Sequence, residues 1–308
     1  MIKSLLYDYE EEQPGVLSHV RELVGDIGEA QAITPDIACR TGVVGLDGAF
    51  HGVPAGITLI FGEPGVGKTA LLGALLSAAQ KSGKSVALAQ TEYFDGPYFS
   101  AMGVDLGRLP LIPFEDREVF SEACIDFISQ DNAVLAVDSI SGFRPWEEDR
   151  GAWNELVYEF AQIIQDTRGR GSAVVLTSHV RAKRSLMQGK TFAGGTMSAT
   201  RNLGRLVDLE LELSREDVSD ARYTMLVKVL SSAISKPGVW AEVPVIKGKG
   251  IDIRQDLLDT ALAAGVITQR GAWYYLKGVR LGSGKEAAAD RLFNDKELIS
   301  RAVRSLYR

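Results

Sequence analysis

Short runs of apolar residues alternate with longer stretches of helical character through the first part of the chain. Four runs are bounded by glycine or polar residues and are short enough to be strands: residues 57–61, 86–89, 134–137 and 174–177. Strands that are apolar on both faces are typical of parallel sheets covered by helices on each side. The pattern therefore predicts an α/β fold with a mixed, mainly parallel sheet.

The stretches around these strands have their own patterns. Residues 69–82 are rich in alanine and leucine and stop before Gly83, which suits the left-handed residue that follows a helix. Residues 153–167 form a second helical candidate. After about residue 206, apolar and polar positions alternate with a period of two, which predicts antiparallel strands that extend the sheet. These strands cover residues 206–213, 223–230 and 239–246.

The pattern changes again near residue 251. A predicted helix at 255–264 ends at Gly265 and precedes a β-rich stretch at 266–281, with helices from there to the end. This suggests a small C-terminal α/β domain. We predict three parts: an N-terminal segment at 1–37, an α/β core at 38–250 and the C-terminal domain at 251–308.

Composition and charge exclude several classes of protein. The chain has 308 residues, of which 45% are hydrophobic and 24% charged, which is ordinary for a globular protein and unlike a disordered or fibrous one. Its two cysteines, Cys39 and Cys124, indicate neither a disulfide framework nor a zinc cluster, and favour a reducing compartment. Because no apolar run reaches about 18 residues, we predict no membrane span and no membrane partner. The net charge of −6 argues against a histone-like nucleic-acid binder.

A glycine-rich motif, G-x-x-x-x-G-K-[ST], lies between the first predicted strand and the first predicted helix, which is the context that a phosphate-binding loop requires. Backbone N–H groups and the helix N-terminus would bind phosphate, Lys68 would reach the β- and γ-phosphates, and Thr69 would offer a hydroxyl to Mg²⁺. The alternative is a glycine-rich turn with a solvated lysine. The candidate nucleotide-binding residues here are Gly62, Glu63, Pro64, Gly65, Val66, Gly67, Lys68, Thr69 and Ala70.

Polar residues follow three of the predicted strands. Asp138 ends the run 134–137, where a carboxylate would lie at the ligand edge of the sheet and hold Mg²⁺, or else serve as a cap. Glu92 follows 86–89 and is a candidate general base that positions water for attack on the γ-phosphate. His179, or Ser178 beside it, follows 174–177 and would sense that phosphate. Since no G-x-G-x-x-G follows a strand, the set indicates a nucleotide hydrolase rather than a dinucleotide-binding dehydrogenase.

One stretch of this acidic chain is strongly basic. Residues 167–207 contain eight lysines and arginines and no aspartate or glutamate. Between His179 and Arg205 the segment lacks a regular period and carries glycines with scattered apolar residues, as expected of a loop that binds a phosphate backbone with unstacked bases. A solvated basic face or a subunit contact is the alternative. The candidate DNA-binding cations are Arg181, Lys183, Arg184, Lys190 and Arg201.

Several motifs together resemble the RecA family of recombinases over roughly residues 40–295. Asp95, Tyr98 and Gly103-Val104-Asp105 are similar to its D-P-x-Y…G-V-D segment, and Val137-Asp138-Ser139 to its Walker B end. Gly248-Lys249-Gly250-Ile251 resembles its G-E-G-I, and Gly271-Ala272-Trp273-Tyr274 resembles a motif of its C-terminal domain. Gly194 and Gly195 stand where its second DNA-binding loop has paired glycines.

The resemblance implies an ATP- and Mg²⁺-dependent recombinase that forms a helical filament on single-stranded DNA and pairs it with homologous double-stranded DNA. Tyr98 would stack on adenine, with Asp95 and Gly248 nearby, and Glu92 would be the catalytic glutamate. Segment 1–37 would dock on a neighbouring protomer by strand addition. The expected location is the cytoplasm of a bacterium or of a phage-infected cell.

The chain also departs from bacterial RecA. That protein has two interface lysines, and the corresponding stretch here, Val229–Ile234 around Ser231 and Ala233, contains no lysine. Lys228 or Lys236 would have to substitute, which the register does not favour, and a monovalent cation at the protomer interface is the alternative. The loop at 143–153 is also shorter. Two alternatives therefore stay open: an accessory paralogue that binds ATP and DNA without strand exchange, and a ring-forming DNA-dependent ATPase of RadA or DnaB type. A small-molecule kinase is the weakest reading, because no lid is evident.

Overall fold

The computed structural model describes residues 36–91, 93–114, 116–140, 158–163, 170–179, 185–187, 190–192 and 206–306. All of them belong to the unit Pro35–Arg308. The predicted N-terminal segment therefore lies outside the described residues up to position 35, as does most of the predicted helix at 153–167, of which 158–163 are helical.

The core elements follow one another in the expected strand–helix order. The first half contains β1 (Ile37–Cys39), α1 (Val44–Phe50), β2 (Val53–Pro54), β3 (Ile57–Gly62), α2 (Lys68–Lys81), β4 (Ser85–Gln90), α3 (Gly96–Ala101), a 3₁₀ turn (Leu106–Arg108), β5 (Leu111–Pro113), α4 (Arg117–Ile128) and β6 (Ala133–Asp138). The second half contains β7 (Ala173–His179), β8 (Ser185–Met187), β9 (Lys190–Phe192), β10 (Leu209–Asp217), β11 (Arg222–Ser232), β12 (Trp240–Ile246) and β13 (Gly250–Ile251). The C-terminal elements are α5 (Ile253–Ala263), β14 (Ile267–Arg270), β15 (Trp273–Leu276), β16 (Val279–Ser283), α6 (Lys285–Asn294) and α7 (Lys296–Leu306).

A nine-stranded sheet has the order β13-β12-β11-β10-β3-β7-β6-β4-β5. The strands from β10 to β5 are mutually parallel, and β11, β12 and β13 add antiparallel pairs at one side. The prediction of a mixed, mainly parallel sheet is confirmed, and so are its four central strands. One detail was wrong: the strand predicted at 206–213 is parallel to β3 on one side and antiparallel only to β11 on the other.

Alternating strand residues pack against helices on both faces, which explains why the strands are apolar throughout. Leu71, Leu72, Leu75 and Leu76 of α2 are buried on one face, together with Ile60 of β3. Phe120 and Cys124 of α4, with Phe160, cover the other face, where Leu59 of the same strand points. Burying each such side chain contributes about 1.5–3 kcal/mol. Helix α2 ends at Lys81 with Ser82 as its C-cap, one residue before the predicted end, and Gly83 beyond it has φ +84°.

Buried residues between Leu257 and Ala302 form a separate hydrophobic cluster in the C-terminal part. It is built from α5, α6, α7 and the antiparallel sheet β14-β15-β16, as the change of pattern near residue 251 suggested. The boundary at 250 stays a prediction. Among the described residues, no helix has the length and apolar character needed to cross a membrane.

The basic segment has more backbone order than its sequence suggested. Strands β8 and β9 pair in antiparallel fashion, with Ser185 opposite Phe192 and Met187 opposite Lys190. The absence of a sequence period at 185–192 therefore did not mean an absence of strands, because strands this short display too few residues to set a period.

Candidate nucleotide-binding site

The predicted phosphate loop joins the end of β3 at Gly62 to the start of α2 at Lys68. Gly65 and Gly67 have φ +79° and +107°, a left-handed conformation that favours glycine. Gly62 is required for a different reason: a Cβ there would lie 2.4 Å from the carbonyl oxygen of Leu213 on β10. The α2 N-cap, Gly67, receives no side-chain cap among the described residues. The helix amides and dipole therefore suit an anion.

Lys68 lies folded onto this loop. Its side chain is only 6% exposed, and Nζ donates hydrogen bonds to the carbonyl oxygens of Gly62 and Glu63, each at 3.0 Å. A buried ammonium needs such acceptors. Phosphate oxygens would be stronger acceptors at the same place, because hydrogen bonds between charged groups are about twice as strong as neutral ones.

The two residues predicted to hold Mg²⁺ are brought together. Thr69 Oγ1 donates to Asp138 Oδ2 at 3.3 Å, and Asp138 is half-buried at the end of β6. The opposite carboxylate oxygen, Oδ1, accepts a hydrogen bond of 2.5 Å from Thr177 Oγ1 on β7. Within the described residues, no group of three or more His, Cys, Asp or Glu side chains could hold a metal. One carboxylate and one hydroxyl nevertheless fit Mg²⁺ bound chiefly through water and phosphate.

Thr177 is a site residue that the sequence analysis missed. Because β6 and β7 are parallel with Val137 opposite Leu176, the next residue of each strand brings Thr177 beside Asp138. Thr91, after β4, supports the same aspartate from the other side: its N–H donates to the Asp138 carbonyl at 3.0 Å. The signal was a polar residue inside an otherwise apolar strand, which becomes informative only when the register is known.

His179 ends β7 directly opposite Gly62, so it stands next to the start of the phosphate loop. Its position agrees with the predicted role, which stays a prediction. Glu92 lies outside the described residues. So do six of the candidate DNA-binding residues: Arg181, Lys183, Arg184, Gly194, Gly195 and Arg201. Lys190 is described only as part of the backbone of β9.

Of the residues expected around adenine, Asp95 and Tyr98 lie at the start of α3, and Gly248 lies in the turn after β12. Asp95 is the N-cap of α3 and accepts a hydrogen bond from the Tyr98 N–H at 3.0 Å. Burial, with a smaller effect of Tyr223, raises the pKa of Tyr98 to about 12. Gly248, in the turn after β12, has φ +74° and open space where a Cβ would be. Tyr223 was not predicted, yet it approaches both Tyr98 and the loop.

This architecture defines a protein of the phosphate-loop class, with a parallel sheet whose ligand edge carries the loop and a strand-end aspartate. The RecA C-terminal domain family matches residues 255–307. The RecA protein of Aquifex pyrophilus is 31% identical over 287 residues, covering 86% of this chain and 81% of that protein. The RecA protein of Thermus aquaticus is 29% identical over 294 residues, covering 89% and 85%. The chain belongs to the RecA family.

A solved structure supports the fold independently. The crystal structure of the RadB recombinase aligns with a TM-score of 0.52 at 20% identity, covering 69% of this chain and 98% of that one. At this identity the likeness concerns the fold alone.

Proposed function

We propose that this chain is an ATP-dependent recombinase that forms a filament on single-stranded DNA and promotes homologous pairing and strand exchange. The observation that carries the proposal is the convergence of Lys68, Thr69 and Asp138 at the sheet edge of a RecA-family chain. The basic segment at 167–207, which contains β7 and has no acidic residue, would supply the cations that bind DNA.

In this proposal each residue at the edge has a distinct task. Lys68 exchanges the carbonyls of Gly62 and Glu63 for phosphate oxygens. Thr69 and Asp138 hold Mg²⁺, and Thr177 orients the aspartate by donating to its second oxygen. The metal neutralises charge on the β- and γ-phosphates when bound. Glu92 accepts a proton from the attacking water, and His179 reports the state of the γ-phosphate to the segment that follows it.

ATP hydrolysis with and without single-stranded DNA tests the proposal. We expect stimulation by DNA in the wild type and its loss in Lys68→Ala and Glu92→Gln. Lys68→Ala removes the phosphate contact and should abolish nucleotide binding, whereas Glu92→Gln should bind ATP and fail to hydrolyse it. Hydrolysis that ignores DNA, or that survives Glu92→Gln, would contradict the assigned roles.

DNA binding by the basic segment predicts a steep salt dependence. If about five or six cations meet phosphates, log K for single strands falls with log[salt] at a slope of about −4. Neutralising Lys183, Arg184 and Lys190 together should make the slope shallower by about 2, from about −4 to about −2, and should leave ATP binding intact. Arg301→Gln, at an exposed position of helix α7, is the control. An unchanged slope in the triple variant would remove the segment from the DNA interface.

A specific observation favours the accessory paralogue as second candidate. Where bacterial RecA has interface lysines, Ser231 lies on β11 opposite Glu210 of β10. Burial raises the pKa of Glu210, the neighbouring Glu212 raises it further, and a hydrogen bond from Ser231 lowers it. The β11 stretch that corresponds to those lysines carries no cation and faces a carboxylate across the strand pair, so stabilisation of transition-state charge would need another source, such as a monovalent cation.

Strand exchange in potassium and in sodium buffers separates the candidates. A recombinase with a cation at its interface should exchange strands with a clear preference between the two salts. ATP and DNA binding without strand exchange in either salt would support the accessory role. Closed rings without open filaments by electron microscopy would support a RadA- or DnaB-type ATPase instead.

A further inference from the structure

Arg215, near the end of β10, contacts the phosphate loop from outside the predicted site. Its Nη1 donates a hydrogen bond to the carbonyl oxygen of Gly65 at 3.0 Å. The topology explains the contact, because β10 is parallel to β3 and its residue Leu213 pairs with Gly62, the last residue of β3. Strand β10 then continues to Asp217 and runs beside the loop.

The guanidinium of Arg215 is fixed from two further directions. Nε and Nη2 donate to Asp217 Oδ1 at 3.0 and 2.5 Å, and Lys247 Nζ lies 3.7 Å from the same oxygen. Arg215 also lies 4.5 Å from the centroid of the Tyr223 ring, a cation–π distance. A planar fork held in this way is preorganised, so little side-chain entropy opposes its contact with the loop.

Tyr223, which lies under the Arg215 guanidinium, also packs against the phosphate loop. It is 6% exposed and lies across the β10–β11 pair from Asp217. A Cβ on Gly67 would lie 2.9 Å from the Tyr223 hydroxyl oxygen, so ring and loop are closely packed. Arg215 and Tyr223 therefore contact the phosphate loop at two of its glycines, Gly65 and Gly67.

Holding the Gly65 carbonyl has a consequence for phosphate binding. In a trans peptide the C=O of one residue and the N–H of the next point in opposite directions. A carbonyl fixed towards Arg215 therefore directs the Val66 N–H away from β10. A phosphate loop binds anions only when its N–H groups converge and its carbonyls point outward.

We infer that Arg215 is a positioning residue for nucleotide binding: it holds the Gly65 peptide in the orientation that phosphate requires, with Tyr223 and Asp217 fixing its guanidinium. The inference rests on the proposed binding of ATP and goes beyond it, because Arg215 acts through the loop and not on the nucleotide. Loss of the Arg215 contact should therefore weaken the binding of ATP and ADP alike and should have little effect on the rate at which bound ATP is hydrolysed.

Equilibrium binding of fluorescent ATP and ADP analogues with Mg²⁺, with steady-state hydrolysis beside it, tests the inference. Arg215→Gln should raise both Kd values about 10-fold, the loss expected for one charge-assisted hydrogen bond. It should raise KM in parallel, with kcat within about twofold of the wild type. Arg215→Lys keeps a donor without the planar fork and should raise Kd about threefold. Arg280→Gln is the matched control, since Arg280 lies 4.6 Å from the Trp273 centroid in the C-terminal sheet.

The outcomes separate this inference from the proposed function. If the wild type binds nucleotide and Arg215→Gln binds it equally well, the positioning role is wrong and the proposed function stands. A Kd that rises equally in Arg280→Gln would mean general destabilisation and would also overturn the role, as would a fall in kcat at constant KM. A wild type that binds neither nucleotide would refute the proposed function and the inference together.

Discussion

Asp256 of α5 is a buried carboxylate that ties the C-terminal part to the first helix of the core. It is 1% exposed, and Oδ2 accepts a hydrogen bond from the Val44 N–H at 2.7 Å, while both oxygens lie 3.3 Å from the Gly45 nitrogen. Burial raises the pKa of Asp256 from its ordinary 3.8 to about 7. The two backbone hydrogen bonds oppose this shift, and the charges of Asp259 and Asp47 add to it.

The sign and size of the effect on stability follow from this pKa. Because the folded form holds the Asp256 proton more tightly than the unfolded form, its contribution is fully present below pH 3.8 and is lost as the pH rises to about 7. At about 1.4 kcal/mol per pKa unit, the loss is about 4 kcal/mol between pH 4 and pH 8, of which about 3 kcal/mol falls between pH 5 and pH 8. Asp256→Asn removes this titration and keeps one oxygen acceptor.

Urea unfolding of the full chain at pH 5, 6, 7 and 8 measures the effect. We expect the unfolding free energy of Asp256→Asn minus that of the wild type to grow by about 3 kcal/mol from pH 5 to pH 8. Asp116→Asn is the control, because Asp116 also caps a helix, accepting from the Val119 N–H at 3.1 Å, but is exposed. Parallel pH curves for Asp256→Asn and the wild type would refute the reasoning.

Two further substitutions probe the nucleotide edge. Thr177→Val removes the donor to Asp138 Oδ1 and should raise the Mg²⁺ concentration needed for half-maximal ATP binding about 5- to 10-fold; an unchanged Mg²⁺ titration would contradict the orienting role. Gly62→Ala places a methyl group 2.4 Å from the backbone carbonyl of Leu213, where only a backbone shift can relieve it. Gly62→Ala should lower the unfolding free energy by about 1–3 kcal/mol and abolish nucleotide binding. If the variant binds nucleotide and melts like the wild type, then β3 and β10 can separate at no cost and this reasoning is wrong.

The sequence pattern predicts strands better than it predicts where they end. The alternation of Leu209, Leu211 and Leu213 predicts a strand that ends at 213, because polar residues follow. The strand continues to Asp217 because β11 still supplies backbone partners, with Asp217 opposite Tyr223. Arg215 is one of these last residues, so its contact with the phosphate loop could not be predicted from the periodicity of the sequence.

Helix α1 shows a second limit. Its seven residues contain two glycines, and intrinsic propensity disfavours a helix there. The helix forms beside Asp256, whose carboxylate accepts the N–H groups of Val44 and Gly45 from more than 200 positions along the chain. A cap from so distant a residue leaves no local signal. By contrast the placement of the loop Gly62–Thr69 between a strand and a helix was predictable, because the motif consists of consecutive residues; its binding of phosphate stays a prediction.

The position of β3 relates the remaining parts of the proposed function to one another. Its neighbours are β7 on one side and β10 on the other, and Gly62 pairs with His179 in the first and with Leu213 in the second. The chain continues from His179 into the rest of the basic segment, which carries the DNA-binding candidates from Arg181 onward, and from β10 through its hairpin to Ser231 on β11. In the proposed function, a shift of the phosphate loop would therefore act on the strand that precedes the DNA-binding candidates and on the hairpin that carries the departure from bacterial RecA. Such coupling must be reciprocal in binding free energy. If DNA tightens ATP binding by a given factor, ATP must tighten DNA binding by the same factor, and this reciprocity would hold for a recombinase and for an accessory paralogue alike.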